Sequence, residues 1–282
     1  MQQGKPSRTA WGAAVHRAAH QVLEHGFIFN DPLAMRILGA DAEGAVREAE
    51  NDPSRRKLRL FIAVRTRFAE DALATAVARC GVRQLVVLGA GLDTYAYRSS
   101  LGEGLRIFEV DHPATQAWKR QRLSEAAIPV PRTLVFAPVD FELETLADGL
   151  AAAGFDAAQP TFFTWLGVVP YLTEQAVFST LGFIGSLPGG AQVVFDYGNP
   201  PSSSGKQDEY GAVREALAAR VASLGEAFES VFETDALHAK LRALGFREVE
   251  DLGPGSIRER YFAKRGGPSP DRGGHIVRAT TA

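Results

Sequence analysis

Four apolar residues, Leu85 to Leu88, run without interruption into Gly89-Ala90-Gly91. A short unbroken apolar run predicts a parallel strand buried on both faces. Glycines at its end permit positive φ and let another molecule approach the main chain closely. The chain is thereby directed toward α/β folds that bind a ligand at the carboxyl ends of their strands. Leu105 to Val110 predicts a second strand one βα unit later. Glu109 and Asp111, at its end, each stand twenty residues after one of the two glycines. A carboxylate at that place can accept both hydroxyls of a ribose, so the two strands predict a nucleoside site, and Asp93 in the connecting loop joins its candidate residues. Three residues after Gly91, where a dinucleotide loop carries a third glycine, stands Thr94. The pattern that cradles a pyrophosphate is missing, which ranks S-adenosylmethionine, a ribose without phosphate, above NAD.

With 282 residues, 45% hydrophobic and 23% charged, the expectation is one α/β domain with extensions. A net charge of −2 and a pI near 6.3 give no long-range attraction for phosphate backbones, and no nucleic-acid partner is expected. Cys80 is the single cysteine, expected as a small buried hydrophobe on a helix, and no Cys/His spacing suggests a metal. The N-terminal residues lack the apolar core of a signal peptide, and no run approaches the roughly 18 apolar residues of a membrane span. A cytoplasmic protein acting on a small molecule is expected.

Along the chain, Thr9 to Leu23 and Pro32 to Leu38 predict helices before the sheet. Ser54 to Arg79 predicts a long helix with a basic front. Arg55, Arg56, Lys57 and Arg59 suit a solvated face. Arg65 and Arg67 lie among Phe61, Ile62, Val64 and Phe68, where an arginine either snorkels or pairs with an anionic ligand group. Pro113 to Ala127 predicts a helix, with His112 beside the ribose acid. Thr133 to Val139 predicts a third strand ending in Asp140-Phe141. There the acid can accept the adenine amino protons and the ring can cover the base; alternatively Asp140 caps a helix over residues 142 to 153. Thr161 to Val169 and Gln192 to Tyr197 predict strands four and five, with a helix capped by Thr173 between them. Gly198 to Gly205 and the amphipathic stretch Gln207 to Leu224 suggest a lid-like insertion over 198–230. Phe246 to Leu252 and His275 to Thr280 complete seven strands, separated by a loop rich in Gly and Pro. Alternating strands and helices predict a parallel sheet covered on both faces.

The pieces SRTA, DPLA, VRTRFAED, VVLGAGLDTYAYR, FEVDHPATQAWKRQRL and WLGVVPYLT together resemble the leucine carboxyl methyltransferase-like family. The resemblance is closer to its bacterial branch, which includes polyketide O-methyltransferases. It implies a class I methyltransferase fold, Rossmann-like, with seven strands, the last antiparallel, and a helical cap built from residues 1–80 and the insertion after strand five. It also implies S-adenosylmethionine as cofactor. Arg65 matches the arginine near the methionine carboxylate, Gly89 and Gly91 the cofactor loop, Asp111 the acid after strand two, and Asp140 with Phe141 the adenine contact. Where the eukaryotic members have a glutamate after strand four, this chain has Leu166, so that residue's role and the phosphatase-methylating activity do not transfer.

A carboxylate acceptor needs no general base, whereas a phenol benefits from one. None of His16, His20, His25, His112, His238 and His275 stands where the sequence marks a base, and His112 suits adenosyl contact or helix capping. No catalytic residue is assigned, and an acidic oxygen of a small molecule is the favoured acceptor. Tyr171 and Tyr197, after strands four and five, either line the acceptor pocket or pack in the core. Two other readings remain: an adenosyl-binding module without catalysis, and a nicotinamide-dependent oxidoreductase, which Thr94 disfavours.

Overall fold

A computed structural model describes residues 7–101, 104–141, 143–200, 228–262 and 272–281. They form helices and strands in the order α1 (Arg8–Leu23), α2 (Ala34–Leu38), α3 (Ala42–Glu50), α4 (Arg56–Arg79), β1 (Gln84–Leu88), α5 (Tyr95–Arg98), β2 (Arg106–Asp111), α6 (Pro113–Glu125), β3 (Leu134–Pro138), α7 (Leu146–Ala152), β4 (Thr161–Trp165), α8 (Glu174–Gly185), β5 (Ala191–Gly198), α9 (Thr234–Ala243), β6 (Glu248–Leu252), α10 (Pro254–Tyr261) and β7 (Gly274–Thr280). The strands make a seven-stranded sheet in the order β3-β2-β1-β4-β5-β7-β6. Pairing is parallel from β1 to β2 and from β2 to β3, while β7 runs antiparallel to both β5 and β6. The sheet agrees with the sequence expectation, including its antiparallel last strand.

Two compact units divide the chain between Phe162 and Phe163. In the first, every residue of β1 is buried, as its unbroken apolar run requires. The Ser7 side chain accepts from the Ala10 amide and starts α1, whose Ala14, Ala18 and Ala19 are buried. With almost no side chain at those positions, α1 packs in one core with Ile37 and Leu38 of α2, Val46 of α3, and Leu92 and Leu123. His112 caps α6, with Pro113 in its first turn. In the second unit, Thr173 caps α8 as its sequence predicts, with Glu174 in the first turn. β5 and β7 align Tyr197 with His275.

Several expectations need correction. Cys80 is exposed just past the end of α4, because that helix stops at Arg79 before Gly81. α7 begins at Leu146 and is capped by Thr145, so Asp140 is not the cap of that helix. β4 ends at Trp165: Gly167 turns with φ +71, and its amide donates to Asp196 Oδ1 at 2.6 Å. α3 occupies a stretch the sequence pattern left unassigned. α10 lies in the expected loop, its start marked by Pro254 in the first helical turn. The expected helix over 207–224 falls within 201–227, outside the described residues, so the lid-like insertion is described only at its ends.

The basic front of α4 is not uniformly solvated. Arg59 is buried and grips Glu24, at the end of α1, through Nε to Oε2 and Nη2 to Oε1, both at 2.7 Å. Burial pushes Glu24 up, but the hydrogen bonds and charge of Arg59 outweigh it and hold the carboxyl below its ordinary range. Arg67 pairs with Asp71 at 2.7 Å in an exposed position, a plain pair one turn apart on α4. Glu24→Ala leaves the Arg59 guanidinium buried without its counter-charge and is expected to cost about 3–5 kcal/mol. Urea unfolding of both proteins measures it; a loss under about 0.5 kcal/mol, the scale of an ordinary surface change, would show that the pair does not fasten α1 to α4.

Candidate cofactor site

Of the candidate residues in the first unit, Gly89, Gly91, Asp111, His112, Asp140 and Phe141 lie at the carboxyl ends of β1, β2 and β3. Both Gly89 and Ala90 donate their amides to Val110 O, at 2.9 and 3.1 Å, so β2 guides the chain into the loop. Gly89 and Gly91 then take left-handed φ values of +65 and +44, which other residues reach only under strain. At Gly91 the close approach comes from the chain itself: a Cβ there would lie 2.9 Å from Ala10 Cβ in α1. The SRTA piece is thus pressed against the glycine loop, and Gly91 is required by that packing.

Asp111 is fixed by two backbone donors. Its Oδ2 accepts from Gly91 N at 2.6 Å and its Oδ1 from His112 N at 2.7 Å, pinning the carboxylate between the loop and the start of α6. Burial pushes Asp111 above the usual carboxylate range, against the opposing pull of these amides. His112 Nδ1 accepts from Ala114 N at 3.2 Å, the capping use considered from sequence, and its Nε2 lies 3.8 Å from Asp140 Oδ2. Asp111, His112 and Asp140 are therefore neighbours. Beside them Phe141 and Leu143 are 60% and 84% exposed, an apolar surface next to two acids that suits a flat, amino-bearing base. Asp93 Oδ1 accepts from Tyr95 N at 2.8 Å, fixing the turn into α5.

Glu109 departs from expectation. It shares the face of β2 with Asp111 but sits two residues, roughly 7 Å, further from the strand's carboxyl end. There it is 1% exposed, 2.7 Å from Lys119 Nζ, and accepts from the Tyr97 hydroxyl at 3.1 Å. Its carboxylate is committed to the interior, while that of Asp111 lies at the strand's end. Burial raises Glu109 to about 7, with Lys119 opposing the shift. Lys119 escaped sequence reading, although its spacing carried the signal: Thr115, Lys119 and Leu123 lie four apart on the buried face of α6.

Arg65 is buried on α4. Burial, followed by the charges of Arg55, Arg59 and Arg65, lowers His16 on α1 to about 4, with Asp52 opposing the shift. His16 is therefore neutral at neutral pH.

In the second unit Tyr171 is half-buried, its ring 5.3 Å from Phe228. Tyr197 is buried, so it does not line an open pocket; its hydroxyl lies 2.8 Å from Asp251 Oδ2 and 3.0 Å from Thr234 Oγ1, and its ring stacks on His275. Asp251 also meets His238 Nε2 at 2.8 Å and His275 Nδ1 at 2.7 Å. Two histidines that sequence treated separately thus share one carboxylate. Among the described residues, no group of three or more His, Cys, Asp or Glu side chains could hold a metal.

The Glu109–Lys119 pair yields a pH test. A carboxyl raised from 4.5 to about 7 on folding contributes stability that is lost as pH rises through that interval. Removing the lysine should steepen the loss. Without Lys119 the Glu109 carboxyl stays protonated to higher pH, so Lys119→Met is expected to lose about 1 kcal/mol more stability than the parent between pH 5 and pH 8. Thermal unfolding at both pH values measures this, and an equal loss at the two would contradict the pairing.

The sequence model of the family described as leucine carboxyl methyltransferase matches residues 10–185. A Bacillus subtilis protein is 30% identical over 292 residues, covering 94% of each chain. A Frankia alni protein is 38% identical over 185 residues, 64% of each chain. Both are named "putative S-adenosyl-L-methionine-dependent methyltransferase". A crystal structure from Thermobifida fusca, described in its name as a methyltransferase of the same standing, aligns over 99% of this chain and 96% of its own with TM-score 0.54 and 16% identity, a likeness of fold. Sheet order, matched residues and full-length similarity agree: the chain belongs to the leucine carboxyl methyltransferase family of S-adenosylmethionine-dependent enzymes.

Proposed function

We propose that this methyltransferase acts on a carboxylate or phenolic oxygen of a small molecule, of polyketide type or another secondary metabolite, and binds its cofactor at the carboxyl ends of β1, β2 and β3. The observation that carries the site is the Asp111 carboxylate, held by the Gly91 and His112 amides at the end of β2. In this reading Asp111 accepts the ribose hydroxyls, Asp140 the adenine amino protons, and exposed Phe141 covers the base beside His112. The Gly89–Asp93 loop runs along the nucleoside, and Arg65, buried on α4, faces the methionine carboxylate.

The bound cofactor supplies an already electrophilic methyl group on sulfonium. The chain's part is to hold an acceptor oxygen in line with it and exclude water. A carboxylate acceptor fits the histidines as they stand. His112 is spent on capping α6, His238 and His275 are bonded to Asp251, and His16 is held low by burial and three arginines. None of these is poised to take a phenolic proton, whereas a carboxylate has none to give up.

Incubation with methyl-labelled S-adenosylmethionine and panels of small carboxylic acids and phenols tests the reaction. Transfer to an acid gives a methyl ester that releases labelled methanol in alkali; transfer to a phenol gives an alkali-stable ether. Label appearing only on nitrogen or carbon acceptors would contradict O-methylation. For the site, Asp111→Asn should weaken S-adenosylhomocysteine binding by about 1–3 kcal/mol, because ribose hydroxyls lose a charged acceptor. Unchanged calorimetric affinity would remove Asp111 from the ribose.

A further inference from the structure

Thr94 stands in the place of the third glycine of a dinucleotide loop, and its side chain is 1% exposed. It is engaged twice: its hydroxyl donates to Asp31 Oδ2 at 2.6 Å and accepts from Arg98 Nε at 3.1 Å. Two residues earlier, the Leu92 carbonyl accepts from Arg17 Nη2 at 2.6 Å. Both backbone neighbours of Asp93 are therefore fastened from outside the loop.

The fastening converges on Asp31, which is buried. Arg17 Nε and Arg98 Nε lie 3.7 and 3.5 Å from its carboxylate, and its Oδ1 accepts from Leu33 N at 3.0 Å. Asp31 is itself held, since its amide donates to Gln21 Oε1 at 3.0 Å. Arg98 is clamped on its far side by Glu70 of α4, with Nη1 to Oε2 at 3.0 Å. A glycine at position 94 has no hydroxyl to join this network, and a phosphate-binding loop has no use for a buried carboxylate behind it.

We propose that Asp31, acting through Thr94, is a positioning residue for the cofactor loop. It fixes the backbone of Leu92 to Thr94, so that the loop holds its binding conformation before the cofactor arrives, and affinity is gained by avoiding the cost of ordering. The proposal rests on the reading that Gly89 to Asp93 contact the cofactor.

Thr94→Val keeps the shape and loses the hydroxyl; Thr94→Ser keeps the hydroxyl. Calorimetry with S-adenosylhomocysteine should find Thr94→Val at least about tenfold weaker than the parent and Thr94→Ser within a few-fold of it. Without ligand, amide hydrogen exchange of Thr94→Val should accelerate at residues 90–94 while β1 and β2 keep their protection. Parental affinity and exchange in Thr94→Val would overturn the proposal, as would uniform acceleration through β1 and β2, the mark of a purely structural role. Asp31→Asn, read by the same two measurements with the same expectation, serves if Thr94→Val does not fold. A parent that binds no S-adenosylhomocysteine would sink the cofactor assignment, while the exchange comparison still decides the positioning role.

Discussion

The arrangement of the first unit turns on one buried carboxylate. Asp31, between α1 and α2, meets Thr94 and Arg98 from the far side of the glycine loop and Arg17 from α1. Burying the Asp31 carboxylate with the Arg17 and Arg98 guanidiniums sacrifices hydration, and such groups add little net stability unless every hydrogen bond is satisfied. What they impose is geometry, because few placements of α1, α4 and α5 complete the set. The helical segment before the sheet is therefore tied to the loop after β1 at two levels: charge at Asp31, and contact where Ala10 meets Gly91.

The same economy separates the two acids of β2. They share a face of one strand, yet two residues of depth give them opposite environments. Glu109 has Lys119 and Tyr97 and is shut in, while Asp111 has two backbone amides and a position at the strand's end. Counting twenty residues from each glycine treats them as equals. Depth along the strand distinguishes them.

Much of this was legible because the sequence carries the physical cause locally. The Leu85 to Leu88 run and its glycines specify β1 and its turn; Pro113 marks the start of α6, and Thr173 that of α8. What escaped depends on partners far away in the chain. Arg59 looks like part of a solvated front until Glu24, 35 residues earlier, comes to meet it. Lys119 reads as a surface lysine unless its four-residue spacing with Thr115 and Leu123 is followed. Gly91 suggested ligand approach, and the approaching atom belongs to Ala10. Thr94 was informative as a missing glycine, but its bond to Asp31, 63 residues earlier, was not legible. Tyr197 sat at a strand end that suits a pocket, and long-range pairing with Asp251 and His275 drew it inside.

Family membership supplies the methyl donor, and the proposed place for it, at the carboxyl ends of β1 to β3, gathers a fixed acid, a second acid beside a histidine, and an exposed aromatic ring. His112 is spent on capping α6, and His238 and His275 are both bonded to Asp251. The most direct test of the site is a crystal structure with S-adenosylhomocysteine. Ribose hydroxyls within hydrogen-bond distance of Asp111, with the adenine against Phe141, are the predicted result. A nucleoside bound away from the end of β2, with Asp111 still closed on Gly91 and His112 alone, would contradict it.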